Sequence, residues 1–130
     1  RDLWIDRRHL MAVFGRKVGR ADLRLVRGDS ERVSVWWRQR NVLTGVVTPV
    51  DMSWWSGRLE LRSPDGSELW YSQACGSMTS DGYAIADIPP SALSGDVWVQ
   101  RRAGRWRIRA TGPGGGVVRT LAWGYFTLSD

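Results

Sequence analysis

A chain of 130 residues with a formal net charge of +6, nine tryptophans and one cysteine has room for a single core. Its apolar runs fall far short of the roughly 20 residues a membrane helix needs. No basic-then-apolar leader with a small-residue cleavage site opens it, so synthesis in a cytoplasm is expected. The lone Cys75 rules out an intrachain disulfide and a cysteine-based metal cluster and is read as an inert filler. Every basic residue but Lys17 is arginine, a side chain suited to bidentate pairing with carboxylates and phosphates.

The first 20 residues stand apart. Arg1, Arg7, Arg8, Arg16, Lys17 and Arg20 face only Asp2 and Asp6, while Trp4, Ile5, Leu10, Val13 and Phe14 follow neither a period of 2 nor one of 3.6. Such a cationic, aperiodic stretch is read as an arm outside the core, with a short helix expected over 6–14.

From residue 21 onward the pattern is one of short strands and turns. Leu23 and Leu25, then Val33, Val35 and Trp37, alternate with polar positions on either side of Arg27-Gly28-Asp29-Ser30. Asp51 is placed to accept backbone amides at a turn, and adjacent tryptophans (Trp36 and Trp37, Trp54 and Trp55) must split between opposite faces. Leu59 and Leu61 alternate with Arg58, Glu60 and Arg62. The turn Ser63-Pro64-Asp65-Gly66 then leads into a returning strand at 69–71. Asp81-Gly82 opens a strand over 83–88, halted by Pro89-Pro90, and 91–94 is expected to form a helical turn. The next expected hairpin runs from Val97 and Val99 through Ala103-Gly104 to Trp106 and Ile108, with Arg105, Arg107 and Arg109 outside. A glycine-rich loop over 111–116 precedes the last strand, 117–128. About seven regularly spaced strands and no long helix predict an all-β fold, a sandwich or barrel.

Read in order, several of these pieces resemble a known family. They are Arg27-Gly28-Asp29-Ser30, Thr48-Pro49-Val50-Asp51-Met52-Ser53-Trp54-Trp55, Arg58 to Arg62, Pro64-Asp65-Gly66, Asp81-Gly82-Tyr83-Ala84-Ile85, Pro89-Pro90 and Trp123-Gly124-Tyr125-Phe126. Their succession resembles siphophage collar and tail-fibre-attachment proteins and the N-terminal domain of upper baseplate proteins. Met52-Ser53 stands where that grammar has Leu-Thr, Trp54 stands where glycine is common, and 1–20 has no counterpart. The resemblance implies an immunoglobulin-like antiparallel β-sandwich and a place in a phage particle.

Chemistry is sparse. His9 is the only histidine and lies in the arm, a poor site for a fixed catalytic base. Gly112-Pro113-Gly114-Gly115-Gly116 lacks the Gly-Lys-Ser/Thr ending of a phosphate loop. The Arg27-Gly28-Asp29 tripeptide serves as a turn rather than an adhesion motif. Glu60 and Glu68 are expected to face each other across a hairpin, but as solvated partners of arginines rather than as a glycosidase pair. The row Arg101, Arg102, Arg105, Arg107, Arg109 is read chiefly as a solvated face. With Trp106 alternating to the other side, it lacks the interleaved aromatics that nucleic acid requires.

The expectation is a non-enzymatic virion building block, assembled in the host cytoplasm. It would comprise an arm, 1–20, and a sandwich of about seven strands, 21–130. It would dock on other virion proteins and on copies of itself, in a symmetric assembly at the head–tail junction or collar, the tail or a fibre attachment point. The contacts are assigned to Trp4, Ile5, Arg7, Arg8, Phe14, Arg16 and Lys17 in the arm and to Arg105, Arg107 and Arg109 on the sheet. No cofactor or metal is expected, a membrane is excluded and nucleic acid is disfavoured. The alternatives are a capsid decoration protein and a carbohydrate-binding module using tryptophan platforms such as Trp36 or Trp55.

Overall fold

The computed structural model describes residues 2–4, 11, 12 and 18–130, and these form an all-β sandwich. In chain order the strands are β1 (Asp2–Trp4), β2 (Met11–Ala12), β3 (Gly19–Arg20), β4 (Leu23–Val26), β5 (Glu31–Trp36), β6 (Arg38–Arg40) and β7 (Val47–Pro49). They continue as β8 (Ser56–Arg62), β9 (Leu69–Ala74), β10 (Ser77–Met78), β11 (Tyr83–Ile88), β12 (Ala103–Thr111) and β13 (Val118–Ser129). Seven of them run four residues or more, namely β4, β5, β8, β9, β11, β12 and β13. Each overlaps a segment where the sequence predicts a strand.

Two sheets supply the core. One has the order β1-β5-β11-β10. The other has the order β3-β13-β12-β8-β9, with β4 joining β13 as well. A small ribbon, β2-β6-β7, stands beside them. Period-2 patterning decides which side chains meet in the middle. β12 turns Trp106, Ile108 and Ala110 inward and keeps Arg105, Arg107 and Arg109 on the other side. β8 buries Leu59 and Leu61, and β5 and β11 contribute Val33, Val35, Ala84, Ala86 and Ile88. Each buried indole removes roughly 150–250 Å² from water, about 4–6 kcal/mol of transfer free energy at about 25 cal/mol per Å².

β13 departs from strict alternation at one place. Ile108 pairs with Ala122 but Arg109 pairs with Thr120, so Leu121 is an extra residue, and Leu121 and Ala122 are both buried. This bulge puts two consecutive apolar side chains into the core, after which alternation resumes with Phe126 and Leu128 buried.

The N-terminal strands add to this frame by parallel pairing. β3 and β4 follow one another along β13, β1 lies on β5 and β2 on β6. Between β3 and β4 the Ala21 carbonyl accepts a 2.8 Å hydrogen bond from the buried Trp106 Nε1. Gly124 makes this approach possible, because a Cβ at that position would collide with the Ala21 carbonyl.

Four sequence expectations are corrected. Asp96–Val99 is a short 3-10 helix, not a strand: Trp98 is buried against Trp70, and Val97 and Val99 face solvent. The hairpin partner of β12 is β13, reached through 112–117, with β8 on its other side. Glu60 lies opposite Ser72, whereas Glu68 closes the Ser63–Gly66 turn through backbone bonds to Ser63. Within 6–14, where a helix was expected, Met11–Ala12 is a strand and the rest lies outside the described residues.

Candidate interaction surface on the six-stranded sheet

The outward face of β12 is built by cross-strand pairing. On one side Arg105, Arg107 and Arg109 stand opposite Arg62, Glu60 and Arg58 of β8. On the other, Arg105 stands opposite Tyr125 and Arg107 opposite Trp123 of β13. β3 then places Arg20 beside Trp123. The face therefore combines six arginines, one glutamate and two aromatic rings, all on strands whose inner positions are locked in the core.

Neighbouring residues hold these groups in defined places. The Arg20 guanidinium lies 5.0 Å from the Trp123 ring and 5.4 Å from the Tyr125 ring, close enough for attraction to both. Arg105 lies 5.6 Å from Tyr125. Glu60 accepts hydrogen bonds from Arg62, at 3.0 Å, and from Arg107. Burial pushes the Glu60 carboxyl up, but these two hydrogen bonds and the charges behind them outweigh it and hold the group below its ordinary value. Arg58 donates to Ser72. Arg20 has Asp22 at 3.5 Å, at the margin of the face.

Arg105 and Arg109 are different. Their Nε atoms are shielded from solvent and find no acceptor among the described residues. A buried N–H without a partner costs roughly 1–3 kcal/mol, and neither guanidinium has a carboxylate partner among the described residues. Each lines its own depression beside the central Glu60–Arg107 pair. One, of about 320 Å³, is bordered by Arg62, Arg105, Arg107 and Trp123. The other, of about 350 Å³, is bordered by Arg58, Glu60 and Arg109.

The structure divides the residues singled out in the sequence. Arg105, Arg107 and Arg109 share this face. Arg101 and Arg102 do not: Arg101 lies over Trp70 and Trp98, while Arg102 bonds Val99 and Asp130. The backbone of Trp4 is in β1. Ile5, Arg7, Arg8, Phe14, Arg16 and Lys17 lie outside the described residues. Trp123 and Tyr125 were missed as surface groups, although alternation in Trp123-Gly124-Tyr125-Phe126 already puts them on one side. Asp51 does accept the Ser53 amide, at 2.9 Å. Trp36 stacks on Tyr83 with Arg38 over its ring, and Trp55 is edge-on to Trp37, so among the described residues the tryptophan open to solvent is Trp54, 81% exposed. Among the described residues no three His, Cys, Asp or Glu side chains converge as metal ligands.

The chain matches no family model and no curated protein.

Proposed function

We propose that this chain is a structural building block of a bacteriophage particle, an immunoglobulin-like sandwich that docks on neighbouring subunits and on copies of itself. The observation that carries the reading is main-chain addition at the sheet margins. The parallel pairs Asp2↔Arg32, Leu3↔Val33 and Trp4↔Ser34 extend one sheet, and Met11↔Arg38 and Ala12↔Gln39 extend the ribbon. Both strands come from a cationic leader rather than from the sandwich body. A sheet margin that accepts a leader strand offers the same row of N–H and C=O groups to an identical segment from an adjacent copy. Exchange of this kind, repeated around a closed ring, sums weak contacts into a stable assembly. The ordered succession of turn and strand pieces that resembles collar and baseplate proteins directs the reading to a virion.

Sedimentation across a concentration series, combined with amide exchange of residues 2–4 and 31–36, tests it. Association should rise with concentration together with protection of both segments. Leu3→Pro, which removes one donor from the margin, should abolish association while leaving a folded monomer. A monomer at every concentration with residues 2–4 already protected contradicts the docking reading. Absence of the chain from purified particles of the phage that encodes it contradicts the virion reading. The carbohydrate alternative now rests on Trp54, and a glycan titration that does not respond to Trp54→Ala removes it.

A further inference from the structure

We propose that the outward face of β8, β12, β13 and β3 binds single-stranded nucleic acid, with the arginines gripping phosphates and the Trp123–Tyr125 pair receiving a base. This goes beyond the assembly reading and uses a different surface from the sheet margins.

The argument begins with charge. Arg20, Arg58, Arg62, Arg105, Arg107 and Arg109 share the face with Glu60, which is already held by Arg62 and Arg107, and Asp22 sits at its edge. Such a surface attracts a polyanion. Geometry narrows the choice. Arg105, Arg107 and Arg109 point the same way from alternate positions of one strand, which spaces them about 6.6 Å apart. That step suits successive phosphates of an extended chain. Arg105 and Arg109 also carry the Nε donors that find no acceptor. Neither forms an ion pair among the described residues, so both keep their full charge on either side of the neutralised Arg107.

The aromatic groups decide between polyanions. An acidic protein surface would satisfy the guanidiniums but has no use for flat rings beside them. A base does, because it stacks on an aromatic ring or on a guanidinium plane. Tyr125 is 41% exposed and edge-on to Trp123, with the Arg20 guanidinium 5.4 Å from the Tyr125 ring, so a base would stack on the open part of Tyr125 beside that cation. The sequence reading disfavours nucleic acid because Trp106 alternates away from the arginines. Trp106 is indeed buried, but β13 restores aromatics to the arginine side through its register with β12. A duplex is a worse fit, since its bases are already stacked and a strand face has no protruding helix to enter a groove.

Fluorescence anisotropy of a labelled oligothymidylate with the full chain tests the proposal, run over a salt series and against two variants. Binding should be measurable at low salt and fall with log salt at a slope of about −0.7 per phosphate contacted, near −2 for about three contacts. Arg105→Gln/Arg109→Gln gives up no hydrogen bond among the described residues, so the fold should survive. The slope should flatten by about 1.4. Tyr125→Leu should weaken binding roughly tenfold and leave the slope unchanged. Unaltered thermal unfolding of both variants shows that the face, not the fold, has changed. Absence of binding at low salt overturns the proposal. So does displacement by polyglutamate as effectively as by unlabelled oligothymidylate, together with no effect of Tyr125→Leu, which would assign the face to an acidic protein. Leu3→Pro should bind oligothymidylate normally, so failure of the assembly reading and failure of this one remain distinguishable.

Discussion

Gly124 marks the point at which one methyl group would be most disruptive. A Cβ there meets backbone on one side and the Trp106 ring nitrogen on the other, and neither can swing away as the end of a flexible side chain would. Gly124→Ala should therefore destabilise the fold by about 1–3 kcal/mol in urea unfolding and weaken the Trp106–Ala21 hydrogen bond. Cys75 calls for a different measurement. Burial pushes its thiol up to about 11, against the opposing charge of Arg58. Little thiolate then exists near neutral pH, so a thiol reagent should label the native protein slowly and the unfolded chain at the ordinary rate. For Glu60 the sign is set by a folded-state pKa below the unfolded one. Its contribution is fully present above the ordinary value of 4.5 and is lost as pH falls through the lower folded value. The urea midpoint of the native chain should accordingly drop more steeply on acidification below about pH 4.5 than that of Glu60→Gln.

At the scale of elements, the segment 96–99 separates two readings of the same letters. Asp96-Val97-Trp98-Val99 alternates like a strand with its valines inward, yet the 3-10 turn buries the tryptophan instead. Trp98→Ala should cost about 3–5 kcal/mol, whereas Val97→Thr should stay within about 0.5 kcal/mol. A strand with inward valines would give the reverse order in denaturant midpoints. The comparison also marks what the sequence could reveal. Alternation is a local property, so β11 and β13 were legible as segments and the two faces of β8 and β12 residue by residue. Partner choice is not local: the pairing of β12 with β13 and the one-residue offset at Leu121 are set by packing of segments far apart in sequence. For that reason the arginine row was visible but its aromatic companions were not, since Trp123 and Arg107 become neighbours only once the register is fixed. The burial of Trp98 was not legible for a related reason. Its pocket is made by Trp70 and its neighbours, and nothing within 96–99 announces it.

For the molecule as a whole, β13 has the widest set of partners. It pairs with β12 along one side and with β3 and β4 along the other, and it is the last of the strands in the sequence. Its ladders with β3 and β4 join segments roughly a hundred residues apart, a separation that places folding among the slow, millisecond-to-second cases. During synthesis, Leu23 and Leu25 would emerge with no strand to zip against, and Trp106 would emerge before the twelve-residue strand that pairs beside it. The nascent chain must therefore carry half a sheet and several exposed indoles until β13 has been made. In that interval a ribosome-bound holdase would be of most use, and crowded expression would most readily lead to aggregates.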